Sequence, residues 1–257
     1  MEFSTVGIVI KEQFQGENDK MLTILTPAKG KIHAYAKGVR KISSKNASAC
    51  QLFVYSDFEI IEKNGRFTVK TAVCKEMFYN MRSSMEKYSL ACYFADVVSH
   101  TSTELSDESD SLRLLLNALF ALANMNEIPL WFIKGAFELK LMCVCGFMPD
   151  FSSCFVCGNE IGNSHSYTFS FEESAIICDK CKTSSSIPFS CTISGNTAVM
   201  LSCIASSEIS KFLSFKYSDD IKEDFTFICE NYLIHKTERT YETLKIYKSI
   251  LNSLGEK

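Results

Sequence analysis

The sequence predicts an α+β multidomain protein: a small β-barrel first, then a helical body with a four-cysteine element inserted into it. Three observations lead there. Apolar residues alternate along short stretches of residues 1–80, the period of half-buried strands. From residue 81 they recur at three- and four-residue steps, the period of helices. Two C-x-x-C pairs then fall in a short polar stretch, with the spacing of a zinc ribbon. Across 257 residues the chain is 46% hydrophobic and 22% charged, an ordinary globular balance. The predicted parts are a barrel over 1–80, a first helical part over 81–150, the cysteine element over 151–187, and a second helical part over 188–257.

The barrel strands come first. Val6–Ile10 is an apolar run, and Met21–Thr26 follows the polar turn Gly16–Lys20. Lys31–Ala36 alternates after Gly30, and Phe53–Ile61 alternates for part of its length. Asn64–Gly65 is a hairpin signal, from which Arg66–Lys70 returns. Five short strands in about 80 residues suit a closed or partly open barrel. Tyr88–Val98 then reads as helix. A second helix carries Leu112, Leu115, Leu116, Leu119 and Leu122, with Ser109 or Asp110 as its cap. A third opens on Pro129 as first helical residue and ends at Gly146 and Pro149. Ser184–Ser186, before Pro188, reads as a loop. Residues 190–252 read as helix again, with Ile221, Phe225, Ile228 and Tyr232 on one face.

Cys154, Cys157, Cys178 and Cys181 form the two pairs, with 20 residues between them. Two cysteines three apart on a tight turn present both sulfurs to one cation, and two such turns close a tetrahedron. Gly158 suits the first turn, whereas Lys182 holds the matching place in the second. Tyr167–Phe171 and Ala175–Ile177 read as a hairpin carrying the second pair. Four thiolates leave a metal no open position, so the expectation is one structural Zn2+ per chain. Most of the other eight cysteines, Cys143 and Cys145 among them, read as small core residues.

Net charge is −3, but it is uneven: residues 1–80 carry 12 Lys/Arg against 8 Asp/Glu. Lys29–Lys45 holds six cations and no acid, with His33 and Tyr35 among them. A solvated charged loop is one reading. The other is the arrangement of an OB-fold, where cations beside a barrel face track phosphates and rings stack bases. The candidate DNA contacts are Lys31, Lys37, Arg40, Lys41 and Lys45 on a mobile basic loop and the strand before it, with Arg66 beyond. His235–Arg239 is a weaker cluster, diluted by Glu238.

Several classes find no support. The sequence lacks a G-x-x-x-x-G-K-[ST] loop and a G-x-G-x-x-G turn. Its four histidines suggest no catalytic triad, and the expectation is a non-enzyme. Neither the Leu112–Ala123 nor the Ile128–Met148 stretch suits a membrane span. The start shows no export signal, so the expected location is cytoplasmic, with thiols rather than disulfides.

The order of parts, together with several short pieces, resembles the RecO family of bacterial DNA-repair proteins over nearly the whole chain. The pieces are Gly7–Lys11, Gly16–Lys20, Gly30–Lys31, Ala36–Lys41, and Cys143–Asp150 leading into Cys154–Gly158. The resemblance implies a nucleoid-associated recombination mediator that binds single- and double-stranded DNA and anneals strands. It implies action with RecR and help in loading recombinase onto DNA coated by single-strand-binding protein (SSB), whose acidic C-terminal tail it would recognise. That tail needs an apolar pocket rimmed by a cation. The expected place is the helical body, where Pro129–Phe147 carries Trp131, Phe132, Phe137 and Leu141 with Lys134 and Lys140 interleaved. The alternative is a zinc-ribbon scaffold acting only through protein–protein contacts.

Overall fold

The computed structural model describes residues 1–162, 165–182 and 189–255. The chain divides into two compact units: Met1–Met125 with Tyr241–Lys257, and Asn126–Thr240. Both predicted classes of part are present, a barrel and a helical body carrying a cysteine cluster.

The first unit opens with five strands, β1 (Glu2–Gln15), β2 (Asp19–Thr26), β3 (Gly30–Ala36), β4 (Tyr55–Lys63) and β5 (Arg66–Glu76). They close in the order β1-β2-β3-β5-β4. The first half of β1 pairs with β4 and the second half with β2, with a register shift between Val9 and Lys11. A long bent strand therefore serves two sides of the barrel, and the parallel β3–β5 pairing at Ala34–Phe67 seals it. The interior holds Val9, Leu22, Ile24, Ile32, Phe58 and Ile60. Each such side chain, fully buried, contributes about 1.5–3 kcal/mol.

The β3–β4 connection closes one end of that interior. Val39, Ala49 and Cys50 belong to the barrel core. Its backbone is tied down at several points: the Arg40 amide donates to the Asn18 carbonyl at 2.9 Å, and the Cys50 amide to the Asn46 carbonyl at 3.1 Å. The Asn46 side chain reaches the backbone of Lys70 and Ala72 on β5. The expectation of a mobile loop is corrected accordingly: apolar anchors at both ends of the basic run hold it on the barrel.

Helices α1 (Met85–Thr101) and α2 (Ser109–Asn124) follow, and the C-terminal helix, Glu242–Leu254, packs beside α1. Ser84 caps α1 by accepting from the Lys87 amide at 3.2 Å. The cap expected at Ser109 or Asp110 is not used. The N-cap is Glu108, whose side chain does not cap the helix, and Asp107 accepts from the Ser109 amide at 2.9 Å. Gly30 fits where little else would. Its φ is +60°, and an added Cβ would lie 2.2 Å from the Thr103 carbonyl oxygen.

The second unit is built on α3 (Leu130–Val144), buried continuously from Phe132 to Met142. A helix apolar on nearly every side must be enclosed. Pro129 is its N-cap rather than its first helical residue. Strands β6 (Asp150–Cys154), β7 (Ser166–Ser170) and β8 (Ala175–Cys178), the one-turn helix α4 (Asp179–Lys182) and β9 (Ser190–Ser194) come next. The sheet order is β6-β8-β7-β9. The β7–β8 hairpin lies where predicted, but Ser190–Ser194 is strand and not helix, because it completes the edge of β7 in register from Ser166–Ser194 to Ser170–Ser190. Helices α5 (Gly195–Ser206) and α6 (Lys222–Thr237) pack on α3, and the C-terminal helix of the first unit is α7. The loop predicted at Ser184–Ser186 lies outside the described residues. Among the described residues, no helix is long and apolar enough to cross a membrane.

Candidate metal centre and nucleic-acid interface

The four predicted cysteines come together from three elements and a turn. Cys154 ends β6, Cys157 follows on the turn, Cys178 ends β8, and Cys181 lies on α4. Register places Cys154 opposite Ile176 on β8. The first turn is closed by the Gly158 amide donating to the Cys154 carbonyl at 2.8 Å, with Gly158 at φ +71°. The Phe155 amide donates to the Ile176 carbonyl at 2.8 Å, locking the turn to β8.

All four sulfurs lie within 4.8 Å of one another. A tetrahedron with Zn–S bonds of about 2.3 Å has edges of about 3.8 Å. The Cys157 and Cys178 Sγ atoms are 3.8 Å apart. The Cys178 amide also points at the Cys154 Sγ at 3.3 Å, the contact a thiolate accepts. Burial pushes the Cys154 thiol up, but amides of Cys178, Cys157 and Val156 outweigh it and bring it down to about 6. Contact with the Cys178 and Cys157 thiols pushes Cys181 up to about 12. Four thiolates this close repel one another, and a cation held among them would offset that repulsion. The residues fit a tetrahedral metal ion. Cys143 and Cys145 are not part of this group.

The predicted DNA contacts fall into different settings. Lys37, Lys41 and Lys45 are exposed on the β3–β4 connection. Asp19, on β2, organises its start: the Tyr35 hydroxyl donates to one carboxylate oxygen, and the Gly38 amide donates to the other at 2.6 Å. The Tyr35 bond, then the Gly38 amide, then the charges of Lys37 and Lys41 hold the Asp19 carboxyl below its usual value. Tyr35 is therefore committed to the anchor. Arg40 donates to the Gly16 carbonyl at 3.2 Å and lies over the Phe14 ring at 4.1 Å. Lys31 points elsewhere: its Nζ donates to the Ser99 carbonyl near the end of α1 at 2.5 Å. Arg66 is exposed at the β4–β5 turn, in register with Lys63 and next to Phe67, the partner of Ala34.

The cations expected to rim a tail pocket are not available for it. Lys134 is buried between Glu138 and Glu230, 2.8 Å from each carboxylate. Lys140 is buried too, donating to the carbonyls of Ala205 at 2.9 Å and of Ser207. Both lysines hold helices together, which alternation of charge along α3 did not reveal. Among the aromatic residues, sequence reasoning passed over Phe14, since one phenylalanine near a strand end carries no pattern.

Comparison with known proteins gives a consistent result. The family model described as "Recombination protein O N terminal" matches residues 1–78, and "Recombination protein O C terminal" matches residues 82–245. A DNA repair protein RecO of Acetivibrio thermocellus is 32% identical over 246 residues, 96% of each chain. That of Alkaliphilus metalliredigens is 33% identical over 251 residues, 97% of this chain and all of the relative.

Proposed function

The chain belongs to the RecO family of DNA repair proteins, and from that premise we propose that it is a DNA-binding recombination mediator. It binds single- and double-stranded DNA, anneals complementary strands and helps load recombinase onto SSB-coated DNA. Its partners are RecR and the C-terminal tail of SSB, and it acts by binding rather than by making or breaking covalent bonds. The observation that carries this reading is the acid-free cationic run Lys37–Lys45, fixed on the outside of a closed barrel. Phosphate binding needs cations that reach solvent, and Lys37, Lys41 and Lys45 do. Arg40 and Arg66 extend the contact, and Lys31 supports the strand that bears it.

The metal is zinc, held by Cys154, Cys157, Cys178 and Cys181. A four-thiolate tetrahedral set selects zinc or an iron–sulfur centre, and zinc bound there is structural, tying β6 to β8 and α4.

The test is binding to a labelled single strand across a range of salt. Changing Lys37, Lys41 and Lys45 together to Ala should weaken binding. The log–log salt slope should become shallower by up to about 0.7 for each phosphate that is no longer neutralised. An unchanged slope and affinity would favour the scaffold alternative or a DNA site elsewhere.

A further inference from the structure

Phe14 lies near the end of β1, in register with Lys20, and its side chain is 64% exposed. Burying it would stabilise the fold, yet the fold leaves it out. Cations collect around it instead. The Arg40 guanidinium carbon is 4.1 Å from the ring centroid, and the Lys20 Nζ is 5.8 Å away. Arg40 is not there by chance of rotamer alone, because its backbone is tied to Asn18 and its guanidinium to Gly16. Lys37 and Lys41 lie close enough for their charges to act on Asp19 beside Lys20. An exposed ring, an arginine layered on it and nearby lysines are the parts from which single-strand sites are made: a π surface for a base and charges for the phosphates on either side.

We propose that Phe14, with Arg40 laid on its ring, is a stacking platform for one unpaired nucleobase of single-stranded DNA. The proposal rests on the DNA-binding reading of the basic connection and adds to it a contact that depends on bases. Cations alone would hold any polyanion, whereas a platform favours a strand whose bases are unstacked and open to pairing. A duplex has no such base to offer, so Phe14 should matter to single strands and not to duplex DNA.

The full chain is compared on three ligands of equal phosphate number: an oligothymidylate, an abasic strand and a duplex. Phe14→Ala should weaken the oligothymidylate about tenfold and leave the other two unchanged. Phe14→Tyr should bind as the parent does, while Phe14→Leu, which keeps apolar bulk without a ring, should behave like Phe14→Ala. An oligonucleotide with one 2-aminopurine should be quenched by the parent protein and less so by Phe14→Ala. Equal weakening on all three ligands, no weakening on any, or full binding by Phe14→Leu overturns the platform. The variant lacking Lys37, Lys41 and Lys45 separates the two ideas. If it weakens all three ligands while Phe14→Ala changes nothing, only the platform fails; if it too changes nothing, the basic connection is not the DNA contact.

Discussion

Replacing Lys134 by Met should destabilise the second unit strongly, and the size of the effect follows from its surroundings. The Lys134 side chain is 6% exposed, that of Glu138 0% and that of Glu230 14%. Burial works to strip the Lys134 ammonium of its proton. The charges of Glu138 and Glu230 outweigh that and hold it above the usual lysine range. Methionine keeps the length of the side chain but leaves Glu138 enclosed without its cation. Breaking a buried pair in this way costs about 3–5 kcal/mol. At about 1–3 kcal/mol per molar urea, the midpoint should fall by roughly 1–5 M in equilibrium unfolding followed by circular dichroism. The loss should depend on pH with a definite sign. In the variant the enclosed Glu138 carboxylate lacks the Lys134 ammonium and resists ionising, so stability should return as pH falls and Glu138 protonates. In the parent, a raised lysine pKa gives stability that is complete below about pH 10 and fades as pH rises through the folded value. Lys134→Met with Glu138→Leu removes the cation and its fully enclosed partner, leaving Glu230, which reaches solvent, and should recover much of the loss. If the double variant is as unstable as the two single losses added, or if Lys134→Met costs under about 1 kcal/mol, the ion pair does not carry this weight and the reasoning fails.

Two further outcomes are expected. Purified chain should contain one zinc by elemental analysis, and Cys178→Ser should lose the metal and much of its solubility; iron with visible absorbance, or no metal with four freely titrating thiols, would refute the zinc assignment. Lys31→Met should lower the thermal midpoint by loosening β3 from α1, yet leave the salt slope of DNA binding close to that of the parent; a slope change matching that of Lys41→Ala would put Lys31 on the DNA after all.

Legibility in the sequence followed burial. The strands with a buried face stood out because alternation is the signature of one wet and one dry side, as in Gly30–Ala36. Strand β1 was visible only over Val6–Ile10, since its polar ends are held by pairing to β4 and β2 rather than by side-chain burial. Strand β9 was hidden for the same reason: Ser190–Ser194 has one fully buried side chain, Ile193, and owes its form to β7. The four-cysteine cluster was legible because thiol spacing alone dictates what two turns can do. Lys31 and Lys134 were not, because charge along a chain does not tell which carbonyl or carboxylate lies across the fold, 68 residues away for Lys31 and Ser99.

The basic connection supplies both the stopper of the barrel and its outward charge, and this bears on how genetic data from this protein should be interpreted. Val39 and Cys50 are 3% and 0% exposed and face the same interior as Ile24 and Phe58. A polar substitution at either would unseat the stopper and carry Lys37, Lys41 and Lys45 out of position with it. A screen for repair-defective alleles would then return hits at enclosed barrel residues, interleaved in sequence with the proposed DNA contacts. Mapping such hits by position would draw one broad footprint. Sorting them by whether the defect is suppressed at low temperature, where a loosened stopper can reseat and a missing charge cannot return, would separate the two populations.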